Sequence, residues 1–141
     1  MKPSPNLTVT KQQQQKMIEH AEQGYPHEVV GILAGNRKNH YVSRVQPLIN
    51  ERADTNNRYK VSPLILMRQE RALEQQGLEI IGYYHSHPDH PSTYSEYDKE
   101  HALPNMSYLI VSVLSGKAHN IQSWRLDEDR TQMTEELIDY K

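Results

Sequence analysis

Three residues that can bind a metal ion lie close together in the chain. His85 and His87 are separated by one residue at the end of an apolar run, and Asp98 follows eleven residues after His87. Residues i and i+2 of a strand project from the same face, so both imidazoles can reach one ion. Two histidines and one carboxylate leave a fourth position for water, as in catalytic zinc sites. The expected chemistry is hydrolysis, because bound zinc acidifies its water.

Peptide hydrolysis also needs a general base and a donor for the developing oxyanion. Glu28 is the one acid in the apolar segment 28–35, and it is the best candidate for the base. Ser95 precedes Asp98 by three residues on a predicted helix and is the candidate donor. Simpler interpretations stay open for both positions. Ser95 and Asp98 also have the spacing of a capping box, which needs no metal, and Glu28 could lie at an exposed strand end.

Other histidines fit the metal site less well. His90 follows His87 closely, but its position in a proline-rich stretch is more typical of a loop residue than of a ligand. The segment that begins with His27 and Glu28 lacks the second histidine of the H-E-x-x-H zinc motif, because Gly31 stands in its place. The predicted ligand set therefore remains His85, His87 and Asp98.

Composition excludes several classes of function. The chain has 141 residues and no cysteine, which excludes disulfides and thiolate metal sites, and its net charge of -2 argues against nucleic-acid binding. We expect one domain over residues 1–141, with 1–6 as a flexible lead-in. No apolar run suits a signal peptide or a membrane span, so a soluble, cytoplasmic protein is expected. The oligomeric state stays open, a homodimer included.

The hydrophobic pattern predicts an α/β fold in the loose sense, or α+β: a mixed, mostly antiparallel sheet flanked by about three helices. The predicted strands cover 7–10, 28–35, 40–49, 58–61, 78–84, 107–114 and 119–126. The predicted helices cover 11–23, 62–76 and 95–102. Segment 132–139 suits either a strand or a short helix.

Some side-chain directions also follow from these patterns. The glutamines at 12–15 are predicted to form an exposed helix face. Strand alternation predicts that Ile81 and Tyr83 project with the two histidines. The apolar face of the second helix is predicted to consist of Leu64, Leu66, Met67, Ala72 and Leu73.

The assembled residues resemble a known family pattern. The order His85-x-His87, seven residues, Ser95, two residues, Asp98, with Glu28 upstream, is similar to the JAMM motif of the JAB/MPN/Mov34 metallopeptidases. Segments 28–35, 57–59, 85–88 and 107–113 add to the resemblance to small prokaryotic members, which spans roughly residues 8–126. The resemblance implies a cytidine-deaminase-like core.

The resemblance also implies roles for individual residues. His85, His87 and Asp98 would hold one catalytic Zn²⁺ per chain, Glu28 would act as the base, and Ser95 would help to hold the oxyanion. The implied substrate is the C-terminal tail of a ubiquitin-like or sulfur-carrier protein, cleaved at the bond that follows the tail. The implied partners include neither nucleic acid nor a membrane.

Alternative functions are compatible with parts of this pattern. Two histidines and a carboxylate can also hold Fe(II) for oxygenase chemistry, although Glu28 would then have no role. A non-catalytic MPN-type binding module would be expected to lack a ligand or Glu28, and this chain has both. Proteins of the RadC-like group share the H-x-H-P element, but this chain has neither a basic face nor an added helix-turn-helix pattern.

Overall fold

The computed structural model describes residues 6–51 and 60–141. The described residues form one eight-stranded sheet with three helices. The strands are β1 (Leu7–Val9), β2 (Val30–Asn36), β3 (Tyr41–Leu48), β4 (Glu79–Pro88), β5 (Ser107–Leu114), β6 (Lys117–Leu126), β7 (Met133–Glu136) and β8 (Ile138–Tyr140). The helices are α1 (Lys11–Gly24), α2 (Pro63–Gln75) and α3 (Glu96–His101).

The sheet is mixed, as the sequence predicts. Its strand order is β7-β6-β5-β4-β2-β3-β1-β8. Among the described strands, four neighbouring pairs are antiparallel and three are parallel, so the sheet has more parallel pairing than expected. The central strand β4 lies between β2 and β5. It is parallel to β5, and the chain between them forms the loop and helix α3 that carry the remaining candidate site residues.

The C-terminal segment provides the strands at both ends of the sheet. Strand β7 pairs with β6 at one edge, whereas β8 pairs with β1 at the opposite edge, and only Leu137 separates β7 from β8. The two edges therefore meet at Leu137, whose carbonyl accepts a hydrogen bond from the Leu7 amide at 3.0 Å. Of the two alternatives for 132–139, the strand is correct.

Helix α1 packs on one face of the sheet. Thr10 caps it by accepting a hydrogen bond from the Gln13 amide, and Met17 and Ala21 are buried in the core. Gln13 is buried with them, and its Oε1 accepts a hydrogen bond from the Val45 amide at 2.8 Å. The prediction that the whole glutamine run is exposed is therefore wrong at Gln13. Positions 13, 17 and 21 lie on one helix face, and that face is the inner one.

Helix α2 packs on the opposite face of the sheet. Ser62 caps it as predicted, with Pro63 at the first turn. Leu73 is buried, and Ile65 and Leu66 pack against the core beside it, whereas Leu64 and Met67 are 49% and 42% exposed. The predicted face is thus wrong for Leu64, Met67 and Ala72, which is also exposed. Residues 58 and 59 of the predicted strand 58–61 lie outside the described residues, and residues 60 and 61 are not in a strand.

A bulge in β4 changes which side chains accompany the histidines. Against β2, the register passes from Leu33 opposite Gly82 to Ala34 opposite Ile80, so Ile81 has no partner residue. Ile81 consequently packs with Tyr84 in the α1-side core, while Tyr83 packs with the α2- and α3-side clusters. The prediction that Ile81 projects with the histidines is wrong, because the alternation rule assumes an uninterrupted strand.

Tyr84 supports β4 from the side of α1. Its side chain is fully buried, and its hydroxyl forms a hydrogen bond with His20 Nδ1 at 2.7 Å. A Cβ atom at Gly31 would overlap the Tyr84 ring, so position 31 of the neighbouring strand β2 has room only for glycine. This close contact explains why the segment after Glu28 has no side chain at the position of the second histidine of an H-E-x-x-H motif.

No helix in the described part of the chain is long and apolar enough to cross a membrane.

Candidate metal centre

The two histidines lie in the last part of β4, which pairs with β5 at both positions and with β2 as far as His85. His85 pairs with Val30 of β2 and Ile110 of β5, and His87 pairs with Ser112 of β5. The side chains are buried, with 1% of His85 and 8% of His87 exposed. The strand pairing therefore fixes the backbone of both residues and directs both rings to one side of the sheet, as the spacing predicts.

Asp98 reaches the histidines from α3. Ser95 is the N-cap of this helix, and its hydroxyl accepts a hydrogen bond from the Asp98 amide at 3.1 Å. In return, the Ser95 amide donates to Asp98 Oδ2 at 2.9 Å, which completes the predicted capping box. The two interpretations of this pair are compatible, because the capping box orients the same carboxylate that faces the histidines.

The three side chains form a compact group of donor atoms. The His85 and His87 Nε2 atoms are 3.2 Å apart, and Asp98 places Oδ1 3.1 Å from His85 Nε2 and Oδ2 3.0 Å from His87 Nε2. Ligands at 2.0–2.1 Å in a tetrahedral zinc site are about 3.3 Å from each other. The observed separations therefore fit a single ion held by three protein ligands.

A neighbouring carbonyl fixes the tautomer of His87. The Pro91 carbonyl lies 2.7 Å from His87 Nδ1, and a carbonyl can only accept, so Nδ1 carries the proton. Nε2 of the neutral ring is then free to bind a metal, which is the usual arrangement around histidine ligands. The loop that carries Pro91 is itself anchored, because Trp124 Nε1 donates to the Ser92 carbonyl at 2.9 Å.

Electrostatics favour the charge distribution of a metal site. Burial alone would raise the pKa of Asp98, but the adjacent His85 and His87 hold that pKa well below its ordinary value. Burial would lower the pKa of His87, whereas the hydrogen bond and charge of Asp98, the Pro91 carbonyl and the charge of Glu28 together raise it. The buried carboxylate is thus an anion that requires cationic partners, either protonated imidazole or a metal ion.

Glu28 lies beside this group. It lies two residues before Val30, the first residue of β2. Because Glu28 is only 4% exposed, the alternative of an exposed strand end is excluded. The negative charge of its carboxylate contributes to raising the pKa of His87. Glu28 and His87 line one pocket of about 330 Å³. The other lining residues are Pro88, His90, Pro91, Thr93, Tyr94 and Ser95.

The structure brings all five predicted site residues to one place. His85, His87 and Asp98 form the donor group, and Glu28 and Ser95 line the adjoining pocket. His90 is exposed at the pocket and is not part of the donor group, as predicted. Sequence reasoning missed the Pro91 carbonyl and Asn50, whose Nδ2 donates to the Glu28 carbonyl at 2.8 Å. No spacing rule indicates either contact.

Comparison with known families agrees with this geometry. The family model described as prokaryotic homologues of the JAB domain matches residues 10–127. This chain belongs to that family. Its motif is thus that of a small prokaryotic JAMM/MPN protein, as the resemblance of the sequence implies.

Two curated proteins and one solved structure are similar to this JAB-family chain. The desampylase of Haloferax volcanii is 32% identical over 114 residues, which cover 77% of this chain and 82% of that protein. The "Probable TtuB-protein conjugate cleaving protease" of Thermus thermophilus is 39% identical over 85 residues, covering 60% of this chain and 55% of that protein. A protein of Desulfitobacterium hafniense, solved in solution, has a TM-score of 0.83 at 32% identity and covers 96% of this chain and 92% of its own.

Proposed function

We propose that this protein is a zinc-dependent peptidase or isopeptidase that cleaves the bond after the C-terminal tail of a ubiquitin-like or sulfur-carrier protein. The observation that carries the proposal is the buried group of His85, His87 and Asp98, which adjoins a pocket lined by Glu28. The names of the desampylase and of the conjugate-cleaving protease support hydrolysis of such protein conjugates.

In this proposal, His85, His87 and Asp98 hold the metal through Nε2, Nε2 and a carboxylate oxygen. Zinc would supply a Lewis acid that acidifies water and polarises the scissile carbonyl. Two imidazoles and a carboxylate form a donor set that zinc accepts, and a water molecule would complete the coordination of a catalytic ion. The Pro91 carbonyl keeps the Nδ1 proton of His87 in place, so that Nε2 stays available as a ligand.

Glu28 is the proposed general base. Its carboxylate accepts a proton from the attacking water and passes it to the leaving amine. The burial of Glu28 among pocket residues shields this proton from bulk solvent. The base lies outside the ligand set, so removing it should leave metal binding intact, and this separation makes the assignment testable.

Ser95 is the proposed oxyanion donor. Its hydroxyl oxygen accepts from the Asp98 amide, and its own proton remains available to a carbonyl oxygen in the pocket. A hydroxyl that donates only when negative charge develops stabilises the transition state more than the substrate. Ser95 therefore has two roles, starting the helix that presents Asp98 and facing the reaction.

A mass measurement tests this function. The zinc-loaded protein is incubated with ubiquitin-like and sulfur-carrier proteins that carry an extension after the C-terminal tail, and the product masses are followed. Cleavage at the junction by the wild type, but not by Glu28→Gln, supports the proposal. A zinc-loaded wild type that cleaves none of these substrates would refute it and would favour a binding module on the same fold.

A further inference from the structure

Two side chains hold the peptide unit that follows Glu28. On one side, Asn50 Nδ2 donates to the Glu28 carbonyl at 2.8 Å. On the other side, the Val29 amide donates to Ser86 Oγ at 2.8 Å. The carbonyl of Glu28 and the amide of Val29 belong to the same planar peptide group. This one group is therefore fixed at both of its polar atoms by side chains rather than by strand pairing.

The position of this peptide makes the two contacts informative. Strand β2 begins at Val30, so Glu28 lies before the regular ladder that fixes the neighbouring residues. A glutamate side chain has several free torsions, and its starting direction depends on the backbone at its Cα. Because a displacement of about 1 Å can reduce a rate about 100-fold, a base at the end of a strand needs its backbone fixed.

Ser86 lies between the two proposed histidine ligands and also contacts the backbone next to Glu28. Alternation along β4 directs His85 and His87 to one face and Ser86 to the other. Ser86 is fully buried, and its amide also donates to the Val29 carbonyl at 3.1 Å. The first and third residues of this stretch are thus the proposed ligands, and the second fixes the backbone next to Glu28.

Asn50 extends the same support to the chain beyond β3. Its Oδ1 accepts a hydrogen bond from the Lys60 amide at 2.9 Å, and the Glu51 amide donates to the Lys60 carbonyl at 2.8 Å. The Asn50 side chain therefore connects the Glu28 carbonyl to the Lys60 amide. Asn50 is half-buried, so it can be substituted with little disturbance of the core.

We propose that Asn50 and Ser86 are positioning residues for Glu28, which they act on by clamping the Glu28–Val29 peptide from both sides. This inference rests on the proposed role of Glu28 as the base. Loss of either contact is expected to reduce kcat while zinc binding and KM remain close to those of the wild type, because neither side chain is a ligand or lines the pocket.

Substitutions at Asn50 test the first contact. Asn50→Asp keeps the acceptor for the Lys60 amide but removes the donor to the Glu28 carbonyl, and Asn50→Ala removes both. Both variants are expected to lose about 10-fold or more in kcat, with one zinc per chain retained. Asn36→Ala is the matched control, since the exposed Asn36 side chain at the end of β2 accepts a hydrogen bond from the Lys38 amide, remote from Glu28. Wild-type kcat in Asn50→Asp would overturn the role of this contact.

Amide exchange tests the second contact without any enzyme assay. In the metal-free protein, the Val29 amide is expected to exchange about 10-fold or more faster in Ser86→Ala than in the wild type, because its acceptor is gone. Ser86→Thr keeps the oxygen and should restore slow exchange and turnover. Ser107→Ala is the control, since Ser107 is equally buried and its hydroxyl has no partner among the described residues.

The outcomes separate this inference from the proposed function. If the wild type cleaves and Glu28→Gln does not, but Asn50→Asp and Ser86→Ala keep wild-type kcat, the clamp is refuted and the function stands. If the zinc-loaded wild type cleaves nothing, the function fails, and the role of the clamp in catalysis fails with it. Unchanged exchange of the Val29 amide in Ser86→Ala would refute the structural basis of the clamp in either case.

Discussion

Replacing Gln13 with alanine should destabilise the protein, whereas the same change at the adjacent glutamine should not. Gln13 and Val45 are only 6% and 5% exposed, and Gln13 Oε1 accepts a hydrogen bond from the Val45 amide. Strand β1 pairs with β3 only at Tyr41 and Val42, so Gln13 supplies an acceptor beyond the end of β1. In Gln13→Ala, the Val45 amide would remain buried without a partner.

The magnitude follows from the two opposing effects. An unsatisfied buried amide costs about 1–3 kcal/mol. Alanine has a better helix propensity than glutamine, which offsets only a few tenths of a kcal/mol. We therefore expect a net loss of about 1–2.5 kcal/mol in the free energy of unfolding. For a chain of this size, that corresponds to a fall in Tm of roughly 4–10 °C.

Urea and thermal denaturation of the metal-free protein measure this difference. Gln12→Ala is the matched control, because Gln12 is exposed on the same helical turn and should change stability by less than about 0.5 kcal/mol. A Gln13→Ala variant that is as stable as Gln12→Ala would show that the Val45 amide does not depend on Gln13. It would also refute the assignment of Gln13 to the inner face of α1.

The remaining predictions concern the metal and the site. His87→Ala should lose stoichiometric zinc in metal analysis, and a variant that still holds one zinc per chain would remove His87 from the ligand set. Removing zinc with a chelator should lower Tm, since free zinc at 100 times its Kd stabilises the folded state by about 2.7 kcal/mol; an unchanged Tm would contradict a folded-state site. Ser95→Ala should lose about 1 kcal/mol of stability together with about 100-fold in kcat. Ser62→Ala, which removes only a helix cap, should lose similar stability at an unchanged rate; equal rates in the two variants would leave Ser95 as a cap alone.

The grouping of the three candidate metal ligands could be predicted from sequence because its signals are local. The i, i+2 spacing of His85 and His87 needs only a regular strand, and the capping box of Ser95 and Asp98 needs only a helix start. Glu28 stood out as a single acid in an apolar segment. Burial and proximity to His87 then came from the pairing of β2 with β4, which brings distant parts of the chain together.

Other features could not be predicted, because they depend on contacts between distant segments. The packing of Ile81 on the α1 side of the sheet, away from the histidines, results from a bulge in the register with β2. The burial of Gln13 depends on its hydrogen bond with the Val45 amide of β3. The division of the C-terminal segment between β6 and β1 depends on two strands that are distant from it in sequence. The contacts of Asn50 and Pro91 likewise join residues with no recognisable spacing.

Parallel measurement of bound zinc and turnover in Glu28→Gln tests the central claim most directly. Glutamine is close in size to glutamate but cannot accept the proton from water, so the ligand group should stay intact while proton transfer is lost. We expect one zinc per chain in both the wild type and Glu28→Gln, and a fall in kcat of about 10²–10⁴-fold in the variant. A zinc-loaded Glu28→Gln protein that cleaves at the wild-type rate would contradict it.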